Sequence, residues 1–98
     1  MKETKLEQYL VKEVKKQNGL CLKWIAPGTK GVPDRIVIMP NGKTYYVELK
    51  QPKGRIDPLQ KYMHRQLEER GHKVYVLWTK EQVNEFVKKL GDRNGDKI

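Results

Sequence analysis

Pro33-Asp34 and, fourteen positions on, Glu48-Leu49-Lys50 supply two carboxylates and a lysine, groups that can bind a cation or move a proton. In an extended strand, residues two apart share a face, so Glu48 and Lys50 point the same way and Leu49 turns away. The two runs Arg35 to Met39 and Thr44 to Leu49 are rich in β-branched, apolar and aromatic residues and flank Pro40-Asn41-Gly42, a hairpin signal. With Pro40 at the second position of a type I turn and Gly42 left-handed, the loop has three residues and Met39 pairs with Lys43. The numbers of paired residues then add to 82, and Asp34 falls opposite Glu48. A two-residue loop would make that figure 83 and send the two carboxylates to opposite faces. The turn sequence favours the first register.

Two carboxylates facing each other on paired strands repel unless something cationic sits between them. Lys50 can do part of that. A divalent cation does it better, and carboxylate, carbonyl and water oxygens suit Mg²⁺ or Mn²⁺. A metal with a neighbouring lysine is what phosphodiester hydrolysis needs: activation of water, polarisation of the phosphate, and an ammonium for the developing negative charge. The plainer account, an exposed acid and a Glu-Lys surface pair, serves for Asp34 alone better than for three residues with this spacing and register.

Hydrophobic periodicity and turn residues give the surrounding helices and strands. Glu3 to Gln17 reads as a helix, with Leu6, Tyr9, Leu10 and Val14 at helical spacing and Asn18-Gly19 as its stop. Leu20 to Ile25 is a short strand, and the stretch from Pro27 to Pro33 is a loop. The hairpin comes next, and after it a polar loop, Gln51 to Ile56. Asp57-Pro58 opens a second helix with Asp as N-cap and Pro in its first turn. Leu59, Met63 and Leu67, with Tyr62, are its expected buried stripe, and Gly71 ends it. Lys73 to Trp78 is a fourth strand. Thr79 caps a last helix through Leu90 that carries Val83, Phe86, Val87 and Leu90. The order α-β-β-β-α-β-α predicts an α/β fold, a mixed β-sheet flanked by helices. Residues 1–90 make one domain and 91–98 a polar, frayed tail.

Composition bounds the rest. Ninety-eight residues allow one domain. Twenty-one Lys+Arg against twelve Asp+Glu give +9, an excess that argues for a polyanionic partner, nucleic acid before membrane. No apolar run approaches the roughly 20 residues of a membrane span, and the N-terminus does not read as a signal peptide. Cys21 stands alone, which excludes a disulfide within the chain and fits a reducing cytoplasm.

Gly31-Val32-Pro33-Asp34-Arg35, Tyr46-Val47-Glu48-Leu49-Lys50 and the segment Gly54 to Gln60 together resemble the PD-(D/E)xK nuclease superfamily, and within it the stand-alone VRR-NUC proteins of phages and bacteria. The resemblance implies a restriction-endonuclease-like core and a Mg²⁺- or Mn²⁺-dependent DNA endonuclease. It makes Asp34 and Glu48 metal ligands, with the Leu49 carbonyl as a third oxygen, and Lys50 the catalytic lysine. The family's glutamate on the first helix maps to Glu7, which a helical wheel places inside the apolar arc; Glu3 lies in the same arc, nearer the end. Gln60 matches a glutamine that supports the site, although Asp57-x-x-Gln60 reads equally as a capping box. The resemblance further implies homodimers acting on branched DNA such as four-way junctions, in the cytoplasm of a bacterial or phage-infected cell.

The DNA-facing surface is expected around that site. Between residues 50 and 65, five Lys/Arg (Lys50, Lys53, Arg55, Lys61, Arg65) meet one acid, Asp57, while Lys30 and Arg35 flank the other carboxylate. Lys23, on the first strand, is a further candidate. Such residues grip phosphate without reading bases, which predicts selectivity for DNA structure over sequence. His64 is expected on the polar flank of its helix and His72 in solvent. Exposed apolar surface on the last helix, or near Trp24 and Tyr45, is the expected dimer contact. The competing reading is a non-catalytic nucleic-acid-binding module. Against it stand two acids in a phosphate-facing cleft, which repel DNA unless a metal is bound.

Overall fold

The computed structural model describes residues 2–91, so the tail expected at 91–98 lies, but for Gly91, outside the described residues. The elements are α1 (Glu3–Lys16), β1 (Leu20–Lys23), β2 (Arg35–Ile38), β3 (Thr44–Leu49), α2 (Pro58–Glu69), β4 (Val74–Leu77) and α3 (Lys80–Gly91), in the order read from the sequence. Asn18, in the left-handed region at φ 62°, turns the chain out of α1. Thr79 caps α3, its Oγ1 accepting from the Gln82 amide at 3.1 Å.

The four strands form one sheet in the order β1-β2-β3-β4. β1, β2 and β3 are antiparallel neighbours, while β4 runs parallel to β3. The β2–β3 turn is the three-residue loop: the Met39 amide donates to the Lys43 carbonyl at 2.9 Å, and Gly42 sits at φ +87°. Arg35 faces Val47 and Ile36 faces Tyr46. One further step along that register sets Asp34 opposite Glu48.

Strand parity divides the sheet into two unlike faces. On one face Val37, Met39, Val47, Leu49 and Leu77 pack under α1 (Leu6, Leu10, Val14) and α3 (Val83, Phe86, Val87, Leu90). This is the apolar core, and truncating a side chain such as Leu10 to alanine should cost about 2–5 kcal/mol. The other face carries Glu48 and, at the β1–β2 end, Leu20, Leu22 and Ile38. α2 covers it only in part.

The stripe read for α2 is half borne out. Met63 and Leu67 turn inward as expected, but Leu59 and Tyr62 are 52% and 54% exposed. Gln60 and His64 take their place, with His64 the most buried. The reason is what lies beneath: α2 rests on the face that holds Glu48, so its sheltered side includes polar residues, and a rule that equates apolar with buried misses them.

Candidate active site

Glu48 is a carboxylate in the interior, 1% exposed. It projects from β3 onto the α2 side of the sheet, where Gln60, His64 and Lys50 lie against it. Asp34, just before β2, accepts the Leu49 amide on Oδ2 at 2.9 Å, which fixes it beside Glu48. Burial, then the Asp34 charge, push the Glu48 carboxyl up to about 8, while Lys50 pulls the other way. Lys50 Nζ lies 3.7 Å from Glu48 Oε2 with its side chain largely enclosed. The structure thus brings together Asp34, Glu48 and Lys50.

Gln60 performs both of the roles open to it. Its backbone amide donates to Asp57 Oδ1 at 3.0 Å and its Oε1 accepts from the Asp57 amide at 3.1 Å, the capping box. Its Nε2 still donates to Glu48 Oε2 at 2.9 Å. One side chain therefore starts α2 and orients the buried acid. The loop before Asp34 is tied to the same helix turn: a Cβ on Gly31 would lie 2.4 Å from the Leu59 carbonyl oxygen, at a φ of +91°. Only glycine permits that approach.

Glu7 does not join the cluster. Its Oε2 is 2.7 Å from Arg35 Nε and 3.6 Å from Lys23 Nζ. Parity explains this: Arg35 shares its face with Val47, under α1, whereas Glu48 points to the α2 side. A mid-helix acid of α1 consequently meets Arg35. The α1 acid whose charge acts on Glu48 is Glu3, in the first turn. Arg35, which also donates to the Cys21 carbonyl at 3.1 Å, and Lys23 are thus partly committed to protein contacts rather than turned wholly to a ligand. Burial pushes the Cys21 thiol up to about 11, which keeps it protonated and unreactive.

Lys30, Lys53, Arg55, Lys61 and Arg65 are exposed, as a phosphate-gripping surface requires. His72 is exposed too, its ring edge-on to Tyr46. His64 departs from expectation: it is 8% exposed and its Nε2 lies 3.8 Å from Glu48 Oε1. The signal was present, since Gln60 and His64 are four residues apart and must share a helix face. Surface grooves between β4 and α3 and beside Glu7 lie elsewhere, and neither is lined by Asp34, Glu48 or Lys50.

The residues fit a hard divalent cation held in part by others. Glu48 Oε1 is buried without a hydrogen-bond partner, and two carboxylates adjoin. Among the described residues no three His, Cys, Asp or Glu side chains form a metal-holding group by themselves. A Mg²⁺-like ion, bound by one or two carboxylates and completed by carbonyl, water or phosphate oxygens, matches that donor set.

Fold and site define a mixed four-stranded α/β domain that gathers two acids and a lysine at one end of its central strands. The chain belongs to the VRR-NUC family, whose domain it matches over residues 1–81, and it is a nuclease domain. It is 44% identical over 77 residues to "Putative nuclease p44" of Acyrthosiphon pisum secondary endosymbiont phage 1, covering 79% of this chain and 83% of that protein. A solved VRR-NUC domain superposes with a TM-score of 0.82 at 30% identity, over 88% of this chain and 94% of that one.

Proposed function

We propose that this protein is a Mg²⁺- or Mn²⁺-dependent DNA endonuclease that hydrolyses phosphodiester bonds in branched DNA such as four-way (Holliday) junctions, with residues 1–90 as its single domain. The observation that carries the reading is the buried Glu48, set beside a second carboxylate and within 3.7 Å of Lys50. Nothing in packing rewards such a group; a bound cation does.

When bound, the ion would supply Lewis-acid polarisation of the phosphate and a more acidic water. Asp34, Glu48 and the Leu49 carbonyl would hold it. Lys50 stabilises the negative charge that grows as water oxygen bonds to phosphorus and one P–O ester bond breaks. Gln60 keeps Glu48 oriented. Lys30, Lys53, Arg55, Lys61 and Arg65 hold the backbone, which favours DNA shape over sequence.

One site per chain and two strands to cut favour a homodimer. Leu20, Leu22 and Ile38, at 56%, 46% and 37% exposure, offer the contact on the part of the sheet α2 leaves open, with Trp24 stacked on Tyr46 nearby. Tyr45 belongs elsewhere, packed between Tyr75 and Phe86 on the core side. Among the described residues no helix is long and apolar enough to cross a membrane. The cytoplasm of a bacterial or phage-infected cell is the proposed setting.

The test is cleavage of a labelled four-way junction, a flap and a plain duplex with Mg²⁺, Mn²⁺ or EDTA. Junction cutting should require the metal. Asp34→Ala, Glu48→Ala and Lys50→Ala should each lower it at least ~100-fold while leaving junction binding in EDTA intact. Metal-independent cutting, or full activity in Lys50→Ala, overturns the mechanism. Binding without cutting under every condition returns the non-catalytic module.

A further inference from the structure

We propose that His64 is a positioning residue for the cation site: together with Gln60, one helical turn earlier, it fixes Glu48, so that α2 controls both oxygens of the acid. The inference rests on the metal-dependent reading and adds to it a residue outside the sequence pattern that marks the site.

Three observations carry it. Gln60 and His64 stand four apart on the inward side of α2, and each presents its Nε2 to a different oxygen of Glu48. Gln60 meets Oε2 at 2.9 Å; His64 faces Oε1 at 3.8 Å. Both His64 Nε2 and Glu48 Oε1 are buried side-chain atoms without a hydrogen-bond partner. Glu48 and His64 are also the two buried polar residues of the described chain, at 1% and 8% exposure. Two unmet polar atoms aimed at each other across the interior are costly, and an apolar side chain on α2 would remove one of them.

The separation is too long for a direct hydrogen bond, and a small shift of either side chain closes it. The imidazole N–H then engages the oxygen that Gln60 leaves free. A carboxylate held at one oxygen can still turn about its end; held at both, it presents its lone pairs in one direction. Groups that orient a metal ligand in this way typically change metal affinity by about 10–100-fold when removed. Lys50 cannot substitute, because it lies against the same oxygen as Gln60.

The experiment is a Mn²⁺ titration of the full chain without DNA, by electron paramagnetic resonance, alongside thermal melts. Wild type should bind Mn²⁺ and Glu48→Ala should lose it. His64→Leu should bind at least ~10-fold more weakly while still folding and melting cooperatively, because leucine keeps the packing and removes the N–H. His64→Gln, whose amide can bring an N–H to the same place, should recover most of the affinity. His64→Met serves as a second apolar replacement if the leucine variant does not fold. Wild-type affinity in the apolar variants overturns the inference and leaves the metal reading standing. Affinity and melting temperature falling together, with no recovery in His64→Gln, reduces His64 to packing and also overturns it. A wild type that binds no Mn²⁺, or a Glu48→Ala that binds it equally well, removes the metal reading and this inference with it.

Discussion

Gln60 Nε2 lies 2.9 Å from Glu48 Oε2, joining the first turn of α2 to the buried acid of β3. Because the same side chain closes the capping box with Asp57, the start of a helix and the geometry of a candidate metal ligand depend on one residue. Helix and site should therefore be separable only by substitutions that break one bond and spare the other.

Asp57→Ala breaks the cap and leaves the Gln60–Glu48 bond, so it should cost about 0.5–2 kcal/mol of stability with little change in cleavage. Gln60→Ala removes the bond to Glu48 and the side-chain half of the capping box while its backbone amide still caps on Asp57, and its cleavage should fall roughly 10–100-fold beyond any loss of stability. Thermal melts paired with junction-cutting rates check this. Equal rates in the two variants would mean the bond to Glu48 is idle.

Glu48 should make the metal-free protein less stable as pH rises. Its folded-state pKa of about 8 lies above the ordinary 4.5, so the native state holds a proton that the unfolded state gives up between those values. Stability from this group is full below the lower value and is lost as pH climbs through the upper one. Melting temperature in EDTA should decline from about pH 5 to about pH 9, and Glu48→Gln should flatten that decline. Added Mg²⁺ should raise the melting temperature more at the alkaline end, where the carboxylate is already free to bind it. Parallel curves for wild type and Glu48→Gln would contradict the burial argument.

Gly31→Ala should destabilise more than Gly28→Ala. Both glycines have positive φ, +91° and +81°, so each replacement carries the left-handed strain of about 1–2 kcal/mol. Only at Gly31 does the new Cβ also meet the Leu59 carbonyl, at 2.4 Å, whereas Gly28 has open space around it. The extra loss should appear in thermal melts, and it should be accompanied by slower cleavage, because the displaced turn carries Gln60.

Arg35 and the loop cations should behave differently. Arg35→Met strands the half-buried Glu7 and should lower the melting temperature, with a smaller effect on DNA binding. Lys53→Ala with Arg55→Ala should leave the melting temperature unchanged and weaken junction binding. It should also flatten the dependence of affinity on salt by roughly 0.9 per lost phosphate contact. A salt dependence unaltered in that double variant would exclude those two residues from the DNA surface.

Element order, hairpin register and the meeting of Asp34 with Glu48 were legible in the chain alone. Each rests on local rules: Pro40 and Gly42 fix the turn, the turn fixes the pairing, and a period of two fixes which side chains share a face. Which face each helix covers was settled by long-range packing. Strand parity sends Arg35 toward α1 and Glu48 toward α2, so Glu7 found a cation, and of the α1 acids it is Glu3 whose charge acts on Glu48. The same choice put Gln60 and His64 inward and left Leu59 and Tyr62 in solvent. A pattern of apolar residues cannot foresee that, because burial follows the surface a helix rests on, and here that surface is an acid.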